Sequence, residues 1–313
     1  MDLSVSVIIP CYNVENYIRD AVNSIFQQKG IEIELICVDD CSDDKTFEVL
    51  QEMKTVHPEH FFIYRNDTNK GAAFSRNRGL ESAKGIYIQF LDADDFLLPG
   101  KISHQLDLCK SQEQLPGFIA GDYVKRNASG EEKIITADSD NPWYGLMKTR
   151  LGCTCSNLWK RTALQAVNGF DMNLKSSQEY DLMFRLLKNG ATVIHDDRPL
   201  TLVRERKEGS ISSLDRGANW KRYVQLRCNI LAYMKAAGKL DANNQQDFNQ
   251  VLFDAIRCWY PYAHDEALEV YGEFIPSDFV PSPSAVTSGN YIRLFRLLGF
   301  KLTEKIKMMG KSK

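Results

Sequence analysis

The stretch FLDADD ends a run of strand-forming residues and places three carboxylates, Asp92, Asp94 and Asp95, within four positions. In an extended strand alternate side chains lie on the same face, so Asp92 and Asp94 are expected to converge while Ala93 turns away. Two convergent carboxylates without a neighbouring His or Cys form a hard oxygen site that suits Mg²⁺ or Mn²⁺. A turn whose acids face water or cap the following helix fits the same residues equally well. The motif therefore indicates either a metal site or a solvated turn.

A second pair of acids, Asp39 and Asp40, ends the apolar run that begins at residue 33. A carboxylate at the end of such a run can accept a hydrogen bond from a base or a sugar hydroxyl. It can equally cap the helix that Ser42 and Asp43 are suited to open. The residues alone leave both interpretations open.

Both acidic motifs lie within a repeating pattern of strands and helices over the first hundred residues. Segments of helical spacing separate the strand-like runs, which cover residues 5–10, 33–39, 61–66 and 86–92. Near-continuous apolar strands that alternate with helices predict an α/β fold with a mostly parallel sheet covered on both faces. Ligands bind such sheets at the carboxyl ends of the strands. We therefore expect the acids to gather along one edge of the sheet.

The pattern changes twice along the rest of the chain. After Pro99 the spacing predicts a helix at 100–113, short strands near 117–124 and 132–136, an extended segment at 153–161 and an amphipathic helix at 178–189. After residue 212 the composition favours helices that pack on one another. The sequence thus predicts an α/β domain over residues 1–212 and a helical C-terminal extension over 213–313.

The composition excludes several classes of protein. The chain carries 39 basic and 41 acidic side chains, a net charge of −2, so its charge indicates no nucleic-acid partner. Its first residues lack the charged start and long apolar run of a signal peptide, and no apolar run reaches about 18 residues. Eight scattered cysteines without a CxxC motif are expected to be reduced and mostly buried. These features predict a cytoplasmic protein.

Three segments, in this order and spacing, carry a family resemblance: VSVIIPCYNVENYIRDAVNSIFQQ, IELICVDDCSDDKT and NKGAAFSRNRGLESAKGIYIQFLDADD. Together they resemble the family 2 glycosyltransferases with the GT-A fold, over roughly residues 4–212. The resemblance implies an inverting enzyme that moves a sugar from a nucleotide-diphospho-sugar, with a UDP-sugar favoured, to a hydroxyl of a glycan or lipid-linked acceptor in cell-surface polysaccharide synthesis. It further implies a nucleotide-sugar-binding half at 1–100 and an acceptor-binding half at 101–212.

The resemblance also implies roles for residues of the nucleotide pocket and the metal site. Asp40 matches the carboxylate that hydrogen-bonds the uracil ring. Asp92 matches the acid near the ribose and the metal, and Asp94 matches the ligand of the Mn²⁺ or Mg²⁺ that bridges the diphosphate. Asp95 is a common third acid whose role stays unassigned. The other matched positions of the nucleotide pocket are Pro10, Tyr12, Asn13, Arg76 and Asn77.

The catalytic base of the inverting members lies in a Glu-Asp motif on a later helix, which SQEYDLMFRLL resembles. The matching pair here is Gln178-Glu179, so the base position carries Glu179 in place of an aspartate. A glutamate can perform the same proton transfer with a longer reach, as the acceptor oxygen attacks the anomeric carbon. Asp181 is the second choice. An acid at a helix start, stabilised by the macrodipole, is the structural alternative for Glu179.

A loop in which many relatives carry a histidine reads RERK in this chain, with Arg204, Arg206 and Lys207. Cations close to a diphosphate can neutralise the charge of the leaving group. The same residues can form a solvated strand face. Both interpretations stay open.

Two other classes of protein are compatible with part of the sequence. A strand that ends in FLDADD also resembles the haloacid-dehalogenase phosphatases, in which the first Asp is a nucleophile. Those enzymes place the motif at their first strand and usually follow it with Gly-Thr, whereas here it ends the fourth strand and Asp-Phe follows. A catalytically inactive protein that binds a nucleotide sugar or glycan is the second alternative, although the acidic set at Asp40, Asp92, Asp94 and Glu179 argues against decay of the site.

The last segment, from residue 291, is basic and amphipathic. Its seven cations, set against the single acid Glu304, are Arg293, Arg296, Lys301, Lys305, Lys307, Lys311 and Lys313. Such helices lie on anionic membrane surfaces, which predicts peripheral attachment to the inner face of the membrane. A tail that packs on its own domain fits the pattern equally well.

Overall fold

The chain divides into two units, Met1–Gly209 and Ser210–Lys313. The computed structural model describes residues 4–205, 215–240 and 242–309. Within those ranges all the strands belong to the first unit, here called the α/β unit, and the second, the helical unit, is built from helices.

The first part of the α/β unit alternates strands and helices. Its elements are β1 (Val5–Cys11), α1 (Ile18–Phe26), β2 (Ile33–Asp39), α2 (Thr46–Val56), β3 (Phe61–Arg65), α3 (Ala72–Ser82) and β4 (Tyr87–Phe90). Strand β1 is buried along nearly its whole length, which explains its continuous apolar run. Helix α1 buries Ile18, Val22 and Ile25 on one face, as its helical spacing predicts.

The second part of the α/β unit is less regular. Its elements are β5 (Phe96–Leu97), α4 (Lys101–Lys110), β6 (Phe118–Gly121), β7 (Tyr123–Arg126), β8 (Glu132–Ile135), α5 (Pro142–Met147), β9 (Leu158–Lys160), α6 (Arg161–Ala166), α7 (Gln178–Lys188), β10 (Val193–Asp196) and β11 (Thr201–Arg204). The segment at 153–161, predicted to be extended, forms a turn and then only the three-residue strand β9.

Seven strands form the central sheet in the order β10-β6-β9-β4-β1-β2-β3. Strand β1 pairs in parallel with both β2 and β4, and β10 pairs in parallel with β6. Only β9 runs antiparallel, against β4 on one side and β6 on the other. The predicted α/β fold with a mostly parallel sheet is therefore confirmed. A second, four-stranded sheet in the order β5-β11-β7-β8 was not predicted.

The acidic motif does not continue the fourth strand. Strand β4 ends at Phe90, and residues 91–95 leave the sheet in a turn in which the Asp95 amide donates to the Asp92 carbonyl over 3.0 Å. The alternation that was expected to bring Asp92 and Asp94 together does not apply to a turn. A turn instead brings its first and fourth residues, Asp92 and Asp95, close together.

The helical unit contains α8 (Arg216–Ala236), α9 (Ala242–Trp259), a short 3₁₀ turn (Tyr260–Tyr262), α10 (His264–Phe274) and α11 (Gly289–Met309). Its core is aromatic, because the ring of Phe253 meets the rings of Tyr271, Phe279, Tyr291, Phe295 and Phe300. Helix α11 is interrupted at Gly299, whose φ of 71° breaks the helical backbone. Within the described ranges, no helix is long and apolar enough to span a membrane.

Candidate active site

The carboxyl ends of β1, β2 and β4 meet at one edge of the central sheet because these strands are parallel. Cys11 at the end of β1 pairs with Asp39 at the end of β2, and Ile8 of β1 pairs with Phe90 at the end of β4. Pro10 lies within β1, next to its last residue, and the loop that follows carries Tyr12 and Asn13.

Asn13 ties that loop to the one after β2. Its backbone amide donates to Ser42 Oγ over 3.1 Å, and its side-chain Oδ1 accepts from the Asp43 amide over 3.1 Å. Its φ of 51° is a left-handed conformation that asparagine tolerates well. Tyr12 beside it is 47% exposed, so its ring is available to a ligand at this edge. Pro10 is half-buried.

Asp40 anchors the start of α3. Its Oδ1 accepts from Asn66 Nδ2 at 2.7 Å and from the Lys70 amide at 3.0 Å, and its Oδ2 accepts from the Gly71 amide at 2.7 Å. The residue is only 3% exposed. Asp40 therefore lies at the expected edge, with both carboxylate oxygens already engaged by the protein. Its neighbour Asp39 is fully buried and pairs with Arg65 Nε at 3.0 Å, and burial raises its pKa.

The acidic turn at residues 92–95 forms a close cluster with a residue that the sequence did not reveal. One ligand atom each of Asp92, Asp95 and Cys155 lies within 4.8 Å of the other two. Asp94, the predicted metal ligand, is not a member of this cluster, and its side chain is half-buried. The structure thus brings Asp92 next to Asp95, and it corrects the expectation that no cysteine lies nearby.

Cys155 reaches the turn through the antiparallel pairing of β9 with β4. Ile88 pairs with Trp159, and beyond the paired residues the Asp92 amide after β4 donates to Cys155 Sγ in the turn before β9 over 3.2 Å. These two residues are 63 positions apart in sequence, so no local pattern could have joined them. Only the unpredicted direction and register of the three-residue strand β9 bring them together.

Burial makes Asp95 different from the other two acids of the turn. It is only 3% exposed, and its Oδ1 accepts from the Arg204 amide over 2.8 Å. Burial, with added repulsion from the carboxylates of Asp92 and Asp94, raises the pKa of Asp95 well above its ordinary value. Asp95 thus tends to keep its proton at a pH where an ordinary aspartate has lost it.

Arg76 connects the acidic turn to helix α7. Its Nη2 pairs with Asp92 Oδ1 at 2.6 Å, its Nη1 donates to Gln178 Oε1 at 3.2 Å, and its guanidinium lies 5.2 Å from the ring centre of Phe170. The residue is only 7% exposed. Burial by itself lowers the pKa of Arg76, but the groups that face it, Asp92 foremost, together outweigh burial and raise that pKa. Arg76 is therefore a charged strut between α3, the turn and α7.

Both polar atoms of the Asn77 side-chain amide contact the loop that contains Phe170. Its Nδ2 donates to the Phe170 carbonyl and its Oδ1 accepts from the Phe170 amide, both at 2.8 Å. Gly169 lies so close that a Cβ built on it comes within 2.4 Å of Asn77 Oδ1. Asn77 was expected to approach the nucleotide, and in this structure it fastens the loop that carries Phe170 under Arg76.

Glu179 lies in the first turn of α7, directly after the Gln178 that Arg76 contacts. Burial raises the pKa of its carboxyl group, the Arg76 charge opposes that increase, and the Asp92 charge adds to it. The residue is nevertheless partly accessible to solvent. A carboxylate with a raised pKa that solvent can reach is suited to accept a proton near neutral pH.

Asp181 is engaged elsewhere. Its Oδ2 pairs with Arg185 Nε at 2.8 Å on the same helix, and Arg185 also donates to the carbonyls of Val167 and Gly169. Glu179 has no ion pair within the described ranges. The geometry favours Glu179 over Asp181 as the proton acceptor.

Arg204, at the end of β11, contacts the acidic turn from the second sheet. Its Nε donates to the Asp94 carbonyl, its Nη1 pairs with Asp20 at 3.2 Å, and its guanidinium lies 5.1 Å from the ring centre of Phe96. The other two cations of that segment, Arg206 and Lys207, lie outside the described residues. Arg204 therefore stabilises the turn and does not lie on a solvated strand face.

A divalent cation is compatible with the donors at this turn. Asp92 Oδ1 is engaged by Arg76, and among the described residues its Oδ2 has no hydrogen-bond partner. The Asp92 side chain is 38% exposed, so that oxygen can be approached from solvent. Carboxylate oxygens with open positions for water and phosphate are the arrangement that Mg²⁺ and Mn²⁺ accept.

Solved structures share this fold. TarS residues 1–349 from S. aureus, in a complex with UDP-GlcNAc, match with a TM-score of 0.66 at 18% identity, over 98% of this chain and 92% of that one. The mannosyltransferase PcManGT from Pyrobaculum calidifontis, in a complex with GDP-Man and Mn²⁺, matches with a TM-score of 0.60 at 16% identity, over 99% of this chain and 84% of that one. The fold is that of the GT-A glycosyltransferases.

Sequence relatives then identify the family. The model of glycosyl transferase family 2 matches residues 6–149. TuaG of Bacillus subtilis (strain 168), a glycosyltransferase assigned by name to teichuronic acid biosynthesis, is 30% identical over 233 residues, which cover 74% of this chain and 91% of that protein. GgaB of the same organism, named as a minor teichoic acid biosynthesis protein, is 30% identical over 69% of this chain and 25% of its own length. This chain belongs to glycosyl transferase family 2, which confirms the resemblance and rules out the phosphatase alternative.

Proposed function

We propose that this glycosyltransferase transfers a sugar from a nucleotide-diphospho-sugar, with a UDP-sugar favoured, to a hydroxyl of a glycan or lipid-linked acceptor, with inversion at the anomeric carbon. The observation that carries the proposal is the double contact of Arg76 with Asp92 and Gln178. The buried guanidinium of Arg76 thereby holds the acidic turn after β4 at a fixed distance from Glu179 on α7. The names of TuaG and GgaB support a role in cell-surface polysaccharide synthesis, and the UDP-GlcNAc complex of TarS supports the choice of nucleotide.

In this proposal residues 1–100 bind the nucleotide. Tyr12 offers an exposed ring to the base, next to Asn13 in the same loop, and Pro10 precedes them in the last part of β1. Asp40 contacts the uracil ring through the lone pairs that its three protein donors leave available, since a carboxylate has about four acceptor sites. Asn77 acts through the Phe170 loop that supports Arg76. Residues 101–212 then bind the acceptor.

Asp92 and Asp94 would hold the cation, Mn²⁺ or Mg²⁺, through their carboxylate oxygens. The cation, when bound, spreads the negative charge of the diphosphate leaving group. Arg76 holds the Asp92 carboxylate in place through the contact of its Nη2 with Asp92 Oδ1 at 2.6 Å. The buried side chain of Asp95 accepts a hydrogen bond from the Arg204 amide and thereby stabilises the turn.

Glu179 removes the proton from the acceptor hydroxyl in this mechanism. The attacking oxygen approaches the anomeric carbon from the face opposite the diphosphate, so the configuration inverts. The raised pKa of Glu179 matches its basicity to a proton acceptor near neutral pH more closely than that of an ordinary glutamate. Gln178, held by Arg76, fixes the first turn of α7 and with it the position of the base.

Nucleotide release from a panel of UDP- and GDP-sugars, with Mn²⁺ or Mg²⁺ and with and without EDTA, tests this function. We expect turnover with at least one UDP-sugar, dependence on the cation, and a loss of about 10²-fold or more in the Asp94→Asn variant. Asp43→Asn, an exposed acid on the same edge, is the control and should keep its activity. Binding of a donor without any turnover under all conditions would support an inactive sugar-binding protein instead.

We also propose that the exposed face of α11 binds an anionic membrane surface. The inner face of this helix packs into the core through Tyr291, Phe295 and Phe300, as one of the two sequence interpretations expected. The outer face leaves large apolar side chains in solvent: Leu297 is 81% exposed and Met309 is 76% exposed, and Leu298, Leu302 and Ile306 accompany them. Cations interleave with them at Arg293, Arg296, Lys301 and Lys305.

Charge complementarity supports a lipid surface as the occupant of this face. The one acid of the segment, Glu304, is buried and paired with Arg257 Nε at 2.6 Å, so it does not offset the exposed cations. Each exposed Lys or Arg near an anionic surface contributes about 1 kcal/mol, and inserted apolar side chains add to that. Lys311 and Lys313 lie outside the described residues.

Flotation with vesicles of anionic or of purely zwitterionic lipids tests the membrane proposal. We expect the full chain to float with anionic vesicles and a Leu297→Ser, Lys301→Glu double variant to stay in solution. Val280→Ser, which removes an exposed apolar side chain outside α11, should float like the parent. Equal flotation of the double variant and the parent would show that α11 is not the contact.

A further inference from the structure

We infer that Cys155 is a positioning residue that holds the acidic turn in its cation-binding shape. The inference rests on the proposed function, because it concerns the same turn. The thiol of Cys155 lies against both ends of the turn: its Sγ accepts a hydrogen bond from the Asp92 amide at 3.2 Å and donates to Asp95 Oδ2 at 3.4 Å. No other side chain in the described ranges makes a hydrogen bond to both of these residues.

The turn needs such a clamp because few contacts close it. Asp92 and Asp95 come close together across the turn. A single backbone hydrogen bond, from the Asp95 amide to the Asp92 carbonyl, closes it from within. The Cys155 thiol adds one contact to each end, from the side opposite the solvent.

A buried hydrogen-bond chain fixes the backbone of Cys155 in turn. Gln89 Nε2 donates to the Cys155 carbonyl at 2.7 Å and to the Phe90 carbonyl at 2.6 Å. Lys101 Nζ donates to Gln89 Oε1. Cys155, Gln89 and Lys101 are all at most 2% exposed, so solvent does not compete for any of these contacts.

The order of donors along this chain leaves one orientation for the Gln89 amide. Lys101 Nζ is the donor to this amide, so the oxygen of the amide must face it. The amide NH₂ must then face the two carbonyls, which accept and cannot donate. These hydrogen bonds therefore fix Cys155 relative to Lys101 on α4. Through its thiol, Cys155 in turn fixes Asp92 and Asp95.

A thiol suits this place better than a more polar group. Cys155 lies in a nearly water-free layer beneath the turn, where an unsatisfied hydroxyl or amide is costly and a thiol is not. The long C–S bond also lets one atom reach both ends of the turn. Groups that orient metal ligands from behind typically change metal affinity by about 10–100-fold when they are removed.

The test is a calorimetric titration of Mn²⁺ into the full chain saturated with UDP. We expect Cys155→Ala to weaken Mn²⁺ binding by about 10–100-fold, and Cys155→Ser, which keeps a donor and an acceptor on a shorter bond, to weaken it by less than the alanine variant does. UDP affinity without a cation should be unchanged in both variants, which a general loss of structure would not allow. Cys155→Val, which fills the volume of the thiol, serves if the alanine variant does not fold.

Cys153→Ala is the matched control, because the Cys153 amide donates to Ser156 Oγ at 2.9 Å. Within the described ranges no hydrogen bond joins Cys153 to Asp92 or Asp95. It should bind Mn²⁺ like the parent. Unchanged Mn²⁺ affinity in Cys155→Ala, in a parent that does bind Mn²⁺, overturns the inference alone. Failure of the parent to bind Mn²⁺ with UDP overturns the metal assignment and the inference with it. A thiolate-to-cadmium charge-transfer band in the parent that Cys155→Ala lacks makes Cys155 a ligand and also overturns the positioning role.

Discussion

Glu179 and Asp181 are two acids on the same helix turn, and the structure predicts opposite consequences for their removal. Glu179→Gln keeps the size of the side chain and removes its ability to accept a proton. General base catalysis contributes about 10²–10⁴-fold to a rate, so kcat should fall by that factor, which corresponds to about 3–5 kcal/mol of activation free energy. Since Glu179 has no ion pair within the described ranges, the free energy of unfolding should change by at most about 0.5 kcal/mol.

Asp181→Asn should show the reverse pattern. The half-buried pair between Asp181 and Arg185 holds the cation that also binds the Val167 and Gly169 carbonyls. Loss of its charge should destabilise the protein by about 1 kcal/mol and lower the melting temperature by about 2–4 °C. We expect kcat to stay within about fivefold of the parent, because the group does not touch the acceptor in the proposed mechanism.

The pH dependence of the two variants separates the roles further. Burial raises the pKa of Glu179, and a proton acceptor works only when deprotonated. The activity of the parent should therefore rise with pH through a value above that of an ordinary glutamate, and Asp181→Asn should keep that rise. Steady-state kinetics between about pH 4.5 and about pH 8, together with urea unfolding of all three proteins, measures both effects. Full turnover in Glu179→Gln, or a collapse of kcat in Asp181→Asn at unchanged stability, would refute the assignment.

Two further predictions concern stability. Asn77→Ala removes two hydrogen bonds to Phe170 and should lower the free energy of unfolding by about 2 kcal/mol in urea, while the exposed Asn16→Ala control should change it little; equal stability of both variants would contradict the role given to Asn77. Burial lowers the pKa of Lys101 to about 7, so between pH 7 and its ordinary value near 10.5 the unfolded chain binds more protons than the folded one. Stability should therefore rise with pH in that window, by at most about 1.4 kcal/mol per pH unit, and Lys101→Met should flatten the slope; an unchanged slope would show that Lys101 does not titrate as its burial requires.

The sequence predicted the parts of the site that depend on local pattern and strand direction. Parallel strands with continuous apolar runs end at one edge, so Asp40 and Asp92 could be assigned to that edge from the strand and helix alternation alone. The first turn of α7 could be predicted in the same way from its amphipathic spacing. What those patterns could not give is the backbone beyond a strand end, and the switch from strand to turn after Phe90 replaced the expected pairing of Asp92 and Asp94 by that of Asp92 and Asp95.

Contacts between distant segments were outside the reach of the sequence. Arg76 and Gln178 are 102 residues apart, and Asn77 and Phe170 are 93 residues apart. Their meeting depends on the packing of α7 and the preceding loop against α3, which no residue pattern encodes by itself. The role of Asn77 in the nucleotide pocket, which its match to a family motif implies, stays a prediction, whereas its two hydrogen bonds to the backbone of Phe170 could not be predicted from the sequence.

Three carboxylates within four residues persist in this turn because each meets a different environment. Arg76 neutralises Asp92 through Oδ1, and burial shifts Asp95 towards its uncharged form. Asp94 keeps part of its side chain in solvent, where water screens its charge. The repulsion that opposes the turn is thus reduced before any cation arrives, while Asp92 Oδ2 has no hydrogen-bond partner among the described residues and stays available to one. A cation that binds here need not reorganise the acids, and this preorganisation is what the clamp by Cys155 from behind and Arg76 from the side is expected to maintain.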